Sequence, residues 1–247
     1  MTAPRRSSGG AGERRTLKTA ERIALEIVQA IVARGLGTGD RLPLESAMLE
    51  QYSVSRATLR EALRLLEVQG LIHLKRGPGG GPVVGAVEPA HLARMAALYF
   101  RLDAATYGDL LATQALLEPM CAALAATHPD RAEAMAPFVV DHGPGDEVGY
   151  RRSTTGFHAA VYRLAANPVI TLLTQAITHM VTSHVVATMD PVELRPSILR
   201  DHVALARAIA AGHTERARRG MAAHFGAQHA YYRERWPERL GEVIEWR

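Results

Sequence analysis

A chain of 247 residues has room for two domains, each with a core of its own. With 47% hydrophobic and 22% charged residues it is neither a disordered polyelectrolyte nor, lacking any long uncharged apolar run, a membrane-spanning chain. The single cysteine, Cys121, excludes an intrachain disulfide, and the N-terminus lacks the apolar core of a signal peptide. A reducing, cytoplasmic setting with no membrane partner is the expectation.

Residues 1–13, with the run RRSSGGAGE, read as a disordered tail or as a basic arm for phosphates. Leu44 to Tyr52 reads as a short helix opened by Pro43 and Glu45, followed by a Ser53-Val54 turn. A second helix begins after Ser55, a good N-cap, and stops at Gly70. Its inward stripe is Leu59, Ala62, Leu63, Leu66 and Val68, while Arg56, Thr58 and Arg60 cluster on the opposite side of the first turns. Two helices joined by a tight turn form a helix-turn-helix. Leu71 to Lys75 alternates as a strand, breaks at RGPGGG and resumes as PVVGAV, which predicts a two-stranded wing with a glycine-rich tip.

Charge divides along the same line. Residues 1–87 carry 13 Lys+Arg against 8 Asp+Glu, and residues 88–247 carry 16 against 17. The basic surplus belongs to the segment that would face DNA.

From residue 88 onward the apolar periodicity is helical throughout. It predicts helices near 89–102, 106–127, 130–140, 147–165, 168–187, 191–211 and 214–235, with breaks at Pro129, HGPGD, Asn167-Pro168, Asp190-Pro191 and Gly212. Three of these helices turn one histidine into the apolar stripe: His158 with Val161 and Tyr162, His202 with Leu205 and Ile209, and His224 with Met221 and Phe225. A buried imidazole needs a hydrogen-bond partner or a metal, and three that converge can bind Zn²⁺. Spacing alone leaves open whether they converge or serve separately as hydrogen-bonded core residues.

Thr19 to about Val84 closely resembles the winged-helix domain of the GntR family of bacterial transcription regulators. The blocks FHAAVYRLAANPVI and DHVALARAIAAGHTERARRGMAAHF are similar to the helical FCD effector domain of its fatty-acid-regulator branch. The resemblance implies a mainly α protein, with a winged helix-turn-helix over 14–87, a helical-bundle effector and dimerisation domain over 88–247, and a hinge at Gly85 to Pro89. It implies a homodimer on palindromic double-stranded operator DNA, acting as a repressor whose binding is modulated by a small metabolite, often a carboxylate.

By position, the resemblance assigns DNA contacts to Ser55, Arg56, Thr58 and Arg60, and wing-tip contacts to Arg76 and Gly77. Capping is the alternative role for Ser55. Ser46 stands where an arginine is common. The resemblance assigns a divalent metal, Zn²⁺ in the first instance, to His158, His202 and His224. Thr154 replaces the usual aspartate ligand and Gln114 the usual arginine, and both are candidates for the effector pocket; His179, with His184 five residues on along the same helix, is a candidate by spacing to line that cavity, with an exposed position for both as the alternative. A metal-dependent enzyme built on the three histidines is the alternative from another class. It lacks an HExxH pattern, a nucleophile elbow and a phosphate-cradling loop.

Overall fold

A computed structural model describes residues 9–77, 80–140, 152–186 and 192–245. The chain divides into two compact units, residues 1–91 and 92–247.

In the first unit, α1 (Gly9–Ala33), α2 (Glu45–Tyr52) and α3 (Arg56–Val68) precede a two-stranded antiparallel sheet of β1 (Ile72–Lys75) and β2 (Gly81–Val84). The register pairs Ile72 with Val84 and Lys75 with Gly81. The core is apolar: Ala20, Ile23 and Ile27 of α1 close over Met48, Leu59, Leu63, Leu66 and Ile72. Gly70, at φ +73°, ends α3 where the backbone turns left-handed, and a Cβ there would overlap the His91 ring at 2.4 Å.

Three expectations change. Val68 is 68% exposed, because it follows Leu66 by two residues and so lies about 200° around the helix from it. Gly9 to Glu13, assigned to the tail, are helical, with no proline among them to stop α1; residues 1–8 lie outside the described residues. Gly85, the first residue of the expected hinge, is bonded into the wing: its N–H donates to the Leu71 carbonyl at 2.9 Å.

The second unit is helical: α4 (Pro89–Leu102, whose first residues belong to the first unit), α5 (Tyr107–Ala125), α6 (Arg131–Met135), α7 (Phe157–Ala165), α8 (Pro168–Val181), α9 (Arg195–Ala210), α10 (Thr214–Arg235) and α11 (Pro237–Leu240). Helix α5 starts with a capping box in which Thr106 and Asp109 satisfy each other's backbone N–H groups. It packs on α7, α8 and α10 and thereby separates two apolar clusters. One gathers Cys121, Phe157, Val161, Ile209, Met221 and Phe225; the other gathers Tyr107, Leu111, Met180, Val185, Tyr232 and Ile244. Asn167 caps α8 by accepting from the Val169 and Ile170 N–H groups, with Pro168 in the first turn.

The expected helix over 130–140 is α only to Met135, then a 3₁₀ turn through Phe138, since Pro137 cannot continue the i to i−4 pattern. The expected helix over 147–165 is described only from Arg152, where a π-helical turn leads into α7. A second π turn, Thr182–Val186, follows α8, and a 3₁₀ turn, Val192–Leu194, precedes α9. Helix α11 was not anticipated.

Candidate metal centre and nucleic-acid interface

The three histidines come together. One ring nitrogen from each of His158, His202 and His224 lies within 4.8 Å of the others. His202 Nε2 and His224 Nε2 are 3.3 Å apart. That is about the edge of a tetrahedron whose metal–nitrogen bonds are about 2.0–2.1 Å long. Phe157 stacks on the His202 ring at 4.5 Å between centroids, and Phe225 lies against both His158 and His224. The rings therefore cluster in an apolar setting. Burial, acting against the nearby Asp201 carboxylate, holds His224 below the ordinary histidine range.

The hydrogen bonds define which nitrogen faces inward. His224 Nδ1 lies 3.1 Å from Asp201 Oδ2; an ionised carboxylate only accepts, so this contact places the proton on Nδ1. Nε2 is left with its lone pair, and the Gln228 amide contacts it at 2.7 Å. On the other side, His158 Nδ1 sits 3.4 Å from Glu118 Oε2. Glu118 is 0% exposed; its Oε1 accepts from the Tyr162 hydroxyl and, at 3.1 Å, from Thr178. Burial and the Glu118 charge push the Tyr162 phenol well above its usual range, so it remains a donor. Burial also pushes the Cys121 thiol up to about 11, which keeps it protonated and unsuited as a ligand.

The remaining pocket candidates separate. Gln114 is buried and donates to Thr178 at 3.1 Å, which places it two hydrogen bonds behind Glu118 rather than in an open pocket. Thr154 lies half-buried in the π turn that leads into α7. His179 is exposed, because α8 turns Ala176, Ile177, Met180 and Val181 inward. His184 is buried in the other cluster, with Nδ1 3.3 Å from the Tyr107 hydroxyl. Sequence reasoning missed Asp201, Gln228 and Thr178. Gln228 had a local signal, lying four residues after His224; the other two reach the site from separate helices.

In the winged unit, Arg56 and Arg60 are exposed on the first turns of α3, opposite the buried stripe. Arg60 Nε stands 3.6 Å from Glu45 Oε2, an exposed pair too weak to hold the guanidinium in place. Ser55 is the N-cap: its hydroxyl accepts from the Thr58 N–H at 3.2 Å and contacts the Thr58 hydroxyl at 2.8 Å. Thr58 is only 8% exposed, so the two hydroxyls are engaged with each other. Arg76 and Gly77 are exposed at the entry to the wing tip, where Gly77 has φ +95° and open space around it; residues 78–79 lie outside the described residues. No described helix is long and apolar enough to cross a membrane.

Comparison with known proteins fits this division. Residues 19–80 match the bacterial regulatory proteins of the gntR family, and residues 109–227 match the FCD domain. The chain is 42% identical over 74 residues to the putative HTH-type transcriptional regulator RmpR of Mycobacterium gastri, covering 30% of this chain and 27% of that one. It is 26% identical over 159 residues to the Exu regulon transcriptional regulator of Escherichia coli K12, covering 63% and 60%. The Glc operon transcriptional activator of the same organism is 26% identical over 202 residues, covering 76% and 79%. The first two matches thus span less than two thirds of those relatives. A solved GntR protein of Streptococcus agalactiae shares the fold, with a TM-score of 0.67 at 21% identity over 86% of this chain and 99% of that one.

Proposed function

The chain belongs to the GntR family of bacterial regulatory proteins, with an FCD domain behind its winged helix, and we propose that it is a transcription regulator whose hold on operator DNA is set by a small molecule. The carrying observation is the recognition helix: α3 buries Leu59, Ala62, Leu63 and Leu66 and leaves Arg56 and Arg60 in solvent on the first turns. Arginine there can pair bidentately with a guanine edge or with phosphate. Arg76 and Gly77 are placed to follow the backbone or the minor groove. Ser55 and Thr58 act first as a cap, which fixes the start of the helix that carries the arginines.

The protein acts as a homodimer in this reading, matching a two-fold operator. An unpartnered apolar stripe on α4, Met95, Leu98, Tyr99 and Leu102 at spacings of three and four, supports self-association. A divalent ion, Zn²⁺ in the first instance, is held by His158, His202 and His224, whose ring nitrogens are ligands that suit it. When bound, the ion supplies a Lewis-acidic anchor for an effector oxygen such as a carboxylate. Effector binding favours one arrangement of the DNA-binding units over another, and release from the operator gives the repressor behaviour. The matched relatives are named as regulators, which leaves the enzyme alternative without support.

The test is binding to an operator selected from random-sequence DNA. The double variant Arg56→Ala, Arg60→Ala, shown folded by circular dichroism, is expected to lose about tenfold or more in affinity, since one bidentate base contact is worth about 1–3 kcal/mol. A phosphate role would instead weaken all sequences alike and flatten the salt dependence. Unchanged binding by the double variant refutes the proposed surface.

A further inference from the structure

Three neutral imidazoles cannot balance a divalent ion. In a buried site the uncompensated charge is costly, and Thr154 offers no carboxylate to reduce it. Among the described residues, two carboxylates touch the three histidines, each on Nδ1: Asp201 on His224 at 3.1 Å and Glu118 on His158 at 3.4 Å. We propose that Glu118 and Asp201 are the anionic half of this centre, each fixing one histidine through Nδ1 so that Nε2 turns to the ion, and together offsetting its charge. The proposal rests on the metal reading above and goes beyond it in assigning the charge balance to two helices that carry none of the direct ligands or only one.

Glu118 is built for this role and is unfinished without it. Its Oε1 is saturated by Tyr162 and Thr178, and Thr178 is steadied by Gln114. Its Oε2 is buried without a hydrogen-bond donor, and the His158 Nδ1 facing it is likewise buried without one. Leaving such groups unpaired is costly, whereas a small rotation of the imidazole converts the 3.4 Å approach into a charge-assisted bond. An ion on Nε2 selects the tautomer with the proton on Nδ1, which is the donor that Oε2 lacks. Ligand, tautomer and outer carboxylate are then mutually consistent. Gln114 becomes part of this support, two bonds behind Glu118's oxygen.

Asp201 serves the second histidine from the solvent side. Its side chain is 44% exposed, and with His224 it lines a groove of about 370 Å³ between α9 and α10, walled by Ala204, Ala208, Gly220 and Ala223. Leu205 and Arg216 line the same groove, and solvent reaches Asp201 while His224 behind it is buried; Glu118, by contrast, is fully buried. The two positioning residues therefore differ: Glu118 is dry and preset, Asp201 is wet and reachable. Removing an outer carboxylate from a metal-bound histidine commonly weakens metal binding by about 10–100-fold.

The experiment uses the full-length protein, stripped of metal by a chelator and titrated with Zn²⁺ against a competing indicator dye, with Co²⁺ visible spectra recorded alongside. Glu118→Gln and Asp201→Asn, which keep shape and remove charge, are each expected to bind Zn²⁺ about 10–100-fold more weakly and to change the Co²⁺ spectrum. Asp201→Glu should recover part of the loss, which a merely structural role would not produce. Parental affinity in both amide variants overturns the proposal; if Glu118→Gln does not fold, parental affinity in Asp201→Asn alone does so. A parent that binds its operator but no Zn²⁺ overturns the metal reading and this inference together. Tight parental binding with unchanged amide variants overturns this inference alone.

Discussion

The two units solve opposite problems with their interiors. In the winged unit the one buried polar side chain among the described residues is Thr58, and its hydroxyl is engaged in the cap of α3; the charges stand outside. The helical unit buries Gln114, Glu118, Thr174, His184, His202, His224 and His229. A surface that meets a polyanion needs only a stiff apolar scaffold behind it. A site that holds an ion or a small ligand must carry polar groups inward and satisfy each from a different helix, at a cost in stability that an apolar core avoids.

That contrast can be broken experimentally. The largest expected effect is in the apolar unit: Leu63→Ala should destabilise it by about 2–5 kcal/mol, because Leu63 is fully buried among Ile23, Ile27 and Leu66 and its loss leaves a cavity. Denaturant unfolding measures it, and a loss below about 1 kcal/mol would show that the winged core is loosely packed.

The next effect sharpens the contrast through pH. Burial, aided by the positive Arg233 and by His224, holds His229 at about 4, below the ordinary 6.5, and its Nε2 has no hydrogen-bond partner. Between these values the unfolded chain binds the proton that the folded protein refuses. The stability is therefore fully present above about pH 6.5 and is lost as the pH falls towards 4. His229→Phe should flatten this acid limb by about 2 kcal/mol after discounting partial solvent access, and leave stability at pH 7 little changed. An unaltered pH profile would remove His229 from the acid response.

The smallest effect concerns a cap. Ser55→Ala should cost the winged unit about 1 kcal/mol by leaving the Thr58 N–H unpaired, without abolishing operator binding. A loss of DNA affinity far beyond that stability change would restore Ser55 as a direct contact.

Periodicity alone carried much of the fold. The stripe of α3, the glycine that ends it, the two paired strands of the wing and the break at Asn167-Pro168 are local consequences of side-chain spacing, capping and restricted φ, so they were legible in the sequence, although burial in the wing does not alternate as its sequence does. Val68 shows the limit, since an apolar residue next to a stripe need not belong to it. The histidines were legible one at a time, each on the inward face of its own helix.

Their meeting was not legible, because α7, α9 and α10 come together only through packing around Phe157, Met221 and Phe225. Nor was the partner of each. Asp201 neighbours His202 in sequence yet serves His224, since adjacent residues on a helix diverge by about 100°. Glu118 reaches His158 from 40 residues upstream, and His179 points outward where spacing alone had made it a candidate. The sequence by itself determined which faces are apolar, where helices stop and which residues bear charge, all set within a turn or two of chain. Tertiary structure decided which nitrogens converge, which carboxylates meet His158 and His224 and which oxygen is left waiting for a donor, because those depend on how separate helices are laid against one another.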